Sequence, residues 1–241
     1  MSRVWVVVPA AGRGTRFGGE HPKQYLPLAG ETVLAQTLRR LDAAAPAAIL
    51  VGTATGELGA IRVPALHAPL RSFIGGAERA LTVMNGLAAL EREAHPDDLV
   101  AVHDAARPCL RIADFLAVIE AARSSPSGAL LARPVADTVK RADEAGCVAA
   151  TADRRGLWLA QTPQVFPYGK LRAALADGVA AQAPLTDEAS AIERLGGRPR
   201  LVMGHPDNIK ITLPEDLRLA ELYLRAQAEE VRQPHADRTR I

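Results

Sequence analysis

Val4–Gln24 reads VWVVVPAAGRGTRFGGEHPKQ: an apolar run ends at Pro9 and opens into a small, glycine-rich, basic loop closed by Pro22-Lys23-Gln24. The run is short, bounded and β-branched, which suits a strand buried on both faces of a parallel sheet. The loop has little side-chain bulk yet carries Arg13, Arg16 and Lys23. Backbone N–H groups that can come close, ringed by cations, suit a polyphosphate. The loop is not one of the better-known phosphate motifs. It misses the dinucleotide GxGxxG by one residue, the following strand AILVGT has no acidic end for a ribose, and no Gly-Lys-Ser/Thr closes a P-loop. A plain glycine turn between strand and helix stays open as the alternative. Lys23 argues against it, because a lysine between Pro22 and Gln24 has a constrained backbone and can be aimed.

The 241 residues have room for one large α/β domain with an excursion from it. No apolar run approaches the roughly 18 residues of a membrane span, and Val4–Val8 is too short for a signal-type stretch. A formal net charge of +2 gives no reason to expect nucleic acid or a membrane surface as a partner. Cys109 and Cys147 are isolated, without CxxC spacing or a histidine pair, and read as reduced thiols in a cytoplasmic protein.

Thr32 is placed to cap a helix running to about Ala44, followed by a buried strand at 48–51 and another expected at Val63–Leu66. The pair Gly75-Gly76 precedes a helix from Glu78 to about Glu93. Leu99–His103 is a buried strand ending at Asp104-Ala105-Ala106-Arg107-Pro108, then a helix spans 112–124 and a strand 128–135. Strand and helix alternate, which predicts a parallel sheet with right-handed crossovers. The rhythm breaks over Val135–Leu159, where two short strands near 138–141 and 148–151 flank a polar turn. Such a hairpin is too thin to make its own core and must pack on something else. Helices are expected near 168–181, from a Thr186-Asp187-Glu188 cap to Leu195, and from Pro214 to about Glu230, with a late strand at 200–203. The polar tail, 231–241, is expected to be disordered.

Ligands of open α/β sheets bind outside the carboxyl ends of the strands. Four groups fall there: the Gly12 loop, Gly75-Gly76, Asp104–Arg107 and Lys210. They are distant in sequence and converge only in this fold. Asp104 ends a buried strand beside two alanines that leave room for a ligand. A single carboxylate there, with phosphates as the other ligands, is how Mg²⁺ is commonly held; a helix cap or a partner for Arg107 is the equal alternative. Arg107, Thr138, Arg154 and Lys210 are three cations and a hydroxyl that suit a phosphomonoester, and each also reads as a surface residue.

The chain resembles the 2-C-methyl-D-erythritol 4-phosphate cytidylyltransferases of the non-mevalonate isoprenoid pathway, from about Val4 to Tyr223. The resemblance rests on PAAGRGTRFG, PKQY (22–25), GGAER (75–79), HDAARP (103–108), VADTVKR (135–141), DRRGLWLAQTPQVF (153–166), TDEAS (186–190) and DNIKIT (207–212), all in order. It implies a Rossmann-like nucleotidyltransferase: a mostly parallel twisted sheet flanked by helices, in one domain over 1–230. A protruding β-arm at about 135–159 would embrace a second subunit, with Arg154 entering the neighbouring site of a homodimer. By the same resemblance Ala10, Ala11, Gly12, Gly76, Thr82 and Ala105 line a CTP site, and Arg16, Lys23 and Lys210 carry the catalysis. Asp104 holds Mg²⁺, and Arg107, Thr138, Arg154, Thr162 and Lys210 hold the methylerythritol phosphate. Thr82 stands where the family typically has serine. Ala77 stands where a relative has aspartate, which bears on how cytosine is read.

The implied reaction is in-line attack by a substrate phosphate oxygen on the α-phosphorus of CTP. The nucleophile's second pKa lies near 6, so it is anionic at neutral pH and needs no general base. What the reaction needs is charge neutralisation. A cytidylyltransferase for another polyol phosphate, such as ribitol 5-phosphate, would share the triphosphate half. A non-catalytic nucleotide-binding protein on this fold is a competing class, against which Arg16, Lys23, Asp104 and Lys210 stand together.

Overall fold

The computed structural model describes residues 2–12, 22–58 and 64–232. The opening run forms β1 (Val4–Pro9), whose four central residues are buried on both faces. A short 3-10 turn (Lys23–Tyr25) and a small hairpin, β2 (Pro27–Leu28) with β3 (Glu31–Thr32), lead into α1 (Val33–Asp42). The Thr32 hydroxyl accepts from Ala35 N and caps α1 as expected. Then follow β4 (Ala48–Thr53), β5 (Leu70–Ile74), α2 (Arg79–Ala89), β6 (Leu99–Val102), α3 (Ile112–Arg123) and β7 (Ala129–Pro134). The second part contains β8 (Val139–Ala142), β9 (Val148–Ala152), β10 (Trp158–Pro167), α4 (Tyr168–Ala180), α5 (Glu188–Arg194), β11 (Arg200–Met203) and α6 (Pro214–Arg232).

Seven strands make one sheet in the order β11-β7-β10-β6-β1-β4-β5. All pairings are parallel except those of β10, which runs antiparallel to both β6 and β7. Alternation along β1 divides the core. Val6 and Val8 pack with Leu34, Leu38 and Phe115 of α1 and α3 on one face, and Trp5 and Val7 pack with Val83, Leu87 and Leu171 of α2 and α4 on the other. A third, smaller cluster seats α6 through Ala220 and Leu224 against Val33, Ala106 and Ile211, at the carboxyl end of the sheet. No helix among the described residues is long and apolar enough to cross a membrane.

The mostly parallel sheet agrees with the sequence-based expectation, but two strands differ. The strand expected at 63–66 is absent where it is described, since residues 64–66 are coil and Val63 lies outside the described residues. The strand is instead β5, in register from Ile49↔Leu70 to Thr53↔Ile74. As a sheet edge with half-exposed residues it carries no apolar run to read. The second is β10, hidden by Gln161, Thr162, Pro163 and Gln164 in its middle. Its pairing with β7 shifts between Ala160 and Gln164, and that irregularity admits the proline to a central strand.

The β8–β9 hairpin, a separate two-stranded sheet, continues the β7–β10 ribbon through the Val135 N–H to Leu157 carbonyl bond. Nearly all of it is exposed, including Val148 at 65%.

Candidate active site

Pro9, Ala10, Ala11 and Gly12 leave the carboxyl end of β1 and floor a cleft of about 220 Å³. The floor is pinned from two sides: Ala10 N–H donates to the Gly52 carbonyl, and the buried Gln24 amide donates to the Ala10 (2.8 Å) and Gly12 (3.1 Å) carbonyls. Opposite, Gly75 comes so close to Ala11 that a Cβ at Gly75 would lie 2.4 Å from the alanine methyl, so only glycine fits. Gly76 N–H donates to the Thr82 hydroxyl at 3.0 Å, and that hydroxyl lies 3.1 Å from the Glu78 carbonyl it can donate to. Thr82 therefore shapes the Gly76 turn at the cleft wall.

The far wall is the turn after β6, closed by the Arg107 N–H to Asp104 carbonyl bond. Asp104 is 7% exposed and sits among three cations: Arg79 Nε is 3.1 Å from Oδ1, and Lys210 Nζ (2.9 Å) and Arg107 Nε (3.4 Å) reach Oδ2. Burial alone would raise its pKa, but Arg79, Lys210 and Arg107 together hold the carboxyl far below the usual range. Arg79 also forms a two-pronged pair with Glu188, at 2.5 and 3.1 Å. Burial pushes the Glu188 pKa up, against Arg79. In Arg79, burial opposes the charge, and Glu188 and Asp104 outweigh it.

A second lobe of about 270 Å³ shares Arg79, Asp104 and Lys210 with the first and adds Arg107, Thr162 and Thr186. Lys210 reaches it from the segment 207–212, which is stitched in place by main-chain groups. Arg107 Nη1 donates to the Asn208 carbonyl (2.7 Å), the Asn208 amide to the Thr162 carbonyl (2.8 Å), and Lys23 Nζ to the Ile211 carbonyl (2.5 Å).

Of the residues singled out from sequence, Ala10, Ala11, Gly12, Lys23, Gly76, Thr82, Asp104, Ala105, Arg107, Thr162 and Lys210 come together around these two lobes. Arg16 lies outside the described residues. Thr138 and Arg154 are exposed at the β8–β9 hairpin and line neither lobe within one chain. Four contributors went unread in the sequence. Taken locally, Arg79 and Glu188 stand at the starts of helices, Gln24 sits in a turn and His103 follows a strand. Each motif holds them, GGAER, TDEAS, PKQY and HDAARP, but their role is visible only across distant segments.

Glu188→Gln removes the charge with little change of shape and leaves Arg79 with Asp104 alone. The expected cost is about 1–3 kcal/mol, because a partly exposed guanidinium loses one of two counter-charges. Urea unfolding midpoints measure it, and an unchanged midpoint would assign the pair no structural weight.

Two anion-suited lobes at the carboxyl end of a mostly parallel sheet, joined at one charged wall, define a nucleotidyltransferase-type enzyme. A family model for 2-C-methyl-D-erythritol 4-phosphate cytidylyltransferase (IspD) matches residues 4–226. The chain belongs to this family. A 2-C-methyl-D-erythritol 4-phosphate cytidylyltransferase of Acidithiobacillus ferrooxidans is 50% identical over 237 residues, covering 95% of this chain and all of the relative. One from Chromohalobacter salexigens is 52% identical over 223 residues, covering 91% of this chain and 89% of the relative. A crystal structure of a 4-diphosphocytidyl-2C-methyl-D-erythritol synthase superposes with a TM-score of 0.80 at 39% identity, covering 93% of this chain and 99% of that one.

Proposed function

We propose that the protein transfers the cytidylyl group of CTP to 2-C-methyl-D-erythritol 4-phosphate, giving 4-diphosphocytidyl-2-C-methyl-D-erythritol and pyrophosphate. The observation that carries this is the wall of Asp104, Arg79 and Lys210 common to both lobes. A reaction that joins two anions needs its cations where the two meet. The small-residue lobe takes the nucleotide and the Arg107–Thr162 lobe takes the polyol phosphate. A substrate phosphate oxygen forms a bond to the α-phosphorus while the bond from that phosphorus to the bridging oxygen breaks, and pyrophosphate leaves with the electron pair. Lys23 and Lys210, with Arg16, neutralise the charge that builds on the transferred group and the leaving group.

Asp104 fits Mg²⁺ as one ligand among phosphates. Among the described residues its Oδ1 accepts from Arg79 and keeps an acceptor position, whereas Oδ2 is taken by Lys210 and Arg107. Mg²⁺ is commonly held by one or two carboxylates with substrate phosphates and waters completing its shell, and Asp104 beside a nucleotide fits that pattern. When bound, the ion would offset phosphate charge.

The arm at about 135–159 belongs, on this reading, to the same domain (1–230) and embraces a second subunit, so that Thr138 and Arg154 complete the partner's polyol lobe. The free cysteines, Cys109 buried and Cys147 exposed, fit a cytoplasmic enzyme.

Pyrophosphate release with CTP, Mg²⁺ and a panel of polyol phosphates tests the assignment. Release with methylerythritol phosphate is expected. None with that substrate would end the reading, and release with ribitol 5-phosphate alone would move it to the neighbouring specificity.

A further inference from the structure

The His103 imidazole, adjacent in sequence to Asp104, is a fully buried polar side chain that lines neither lobe. Its two ring nitrogens each have one partner. Nε2 is 3.0 Å from the Arg107 carbonyl and Nδ1 is 3.1 Å from the Thr162 hydroxyl. A carbonyl only accepts, so Nε2 carries the proton. Among the described residues the ring makes no hydrogen bond to a carboxylate, and full burial without one favours the neutral imidazole, so Nδ1 is an acceptor. The Thr162 hydroxyl must then give its one proton to Nδ1. The same oxygen accepts the Asp104 N–H at 3.1 Å. The resulting chain has one direction throughout: Asp104 N–H to Thr162 oxygen, Thr162 O–H to Nδ1, and Nε2–H to the Arg107 carbonyl.

We propose that His103 is a positioning residue of the transfer site, which pins the Asp104–Arg107 turn and turns the Thr162 hydroxyl into an acceptor facing the polyol lobe. The pin joins the carbonyl of Arg107, whose guanidinium reaches Asp104 and the Asn208 carbonyl, to the oxygen that holds the Asp104 backbone. With its proton committed, Thr162 has one lone pair left. It can accept from a substrate hydroxyl and cannot donate to a phosphate oxygen. Thr162 therefore reads the polyol and not the phosphomonoester. This inference rests on the activity proposed above.

His103→Gln, His103→Asn, Thr162→Val and the double variant Thr162→Val/His103→Gln test it, with wild-type turnover as the separate check on the activity itself. Glutamine can keep the donor toward Arg107 but not the acceptor for Thr162, and asparagine the reverse. For His103→Gln and for Thr162→Val, KM for the polyol phosphate should rise about tenfold, the value of one hydrogen bond, with KM for CTP little changed. The double variant should lose no more than either single one, because both break the same bond. His103→Asn should keep KM for the polyol phosphate and lose kcat, because it loosens the Arg107 anchor. A deoxy substrate lacking the hydroxyl that meets Thr162 should lose affinity with wild type and lose none with Thr162→Val. Additive losses in the double variant, equal losses for both substrates in step with melting temperature, or deoxy substrates indifferent to residue 162 would each overturn the proposal.

Discussion

Lys23→Ala is expected to lower kcat by at least about 10²-fold, as for the loss of one positioned donor at a developing charge. Pyrophosphate release at saturating substrates reads it. Lys23 stands in the 3-10 turn after the first loop, and its ammonium bonds the Ile211 carbonyl at 2.5 Å, one residue from Lys210. It is thus held beside the 207–212 segment that carries Lys210. A charge there acts on the transferred phosphate more than on the nucleoside, so the loss should fall on kcat more than on KM for CTP. Because Arg154 is assigned to the partner's site, mixed dimers of Lys23→Ala with Arg154→Ala chains should regain activity that neither homodimer has. Near-normal turnover by Lys23→Ala would sink its assignment, and failure to complement would argue against the shared site.

Asp104→Asn should match that loss, at least about 10²-fold in kcat/KM, while the protein stays folded. The carboxylate is the common partner of Arg79, Arg107 and Lys210. Each cation has another recourse: Arg79 keeps Glu188, Arg107 keeps the Asn208 carbonyl, and Lys210 is 41% exposed. Destabilisation of about 1–3 kcal/mol is expected, below that of an isolated buried pair losing one member. Urea unfolding beside steady-state kinetics separates the two effects. A folded variant with wild-type turnover would remove Asp104 from the centre of the site.

What could be read from sequence follows burial. The runs that became β1, β4 and β6 are buried on both faces, so their apolarity alone marks them. Edge strand β5 and interrupted strand β10 carry polar residues for good local reasons and hide. The site divides in the same way. Asp104 and Lys210 were legible from position, one ending a strand and one following a late strand. Arg79, Glu188, Gln24 and His103 were not, because each gains its meaning from a partner far along the chain: Glu188 lies 109 residues from Arg79, and Thr162 lies 59 from His103. Thr82 lines the small-residue lobe and its hydroxyl also holds the Gly76 turn, a second role that only the folded chain shows. Local pattern identifies what a strand buries; it carries no record of which distant side chain will arrive beside it.

The antiparallel passage of β10 has a consequence for assembly. Strands β5, β4, β1 and β6 form one block and β7 with β11 another, and only β10 pairs with both. All four members of the first block precede residue 103, so they can pair while the rest of the chain is still being made. The second block has no edge to dock on until 158–167 has paired with β6. Such long-range closure is slow compared with local pairing. The ribosome therefore delivers the β1 floor and the Asp104 turn first, and the Thr162 side of the second lobe is added only when that central strand arrives.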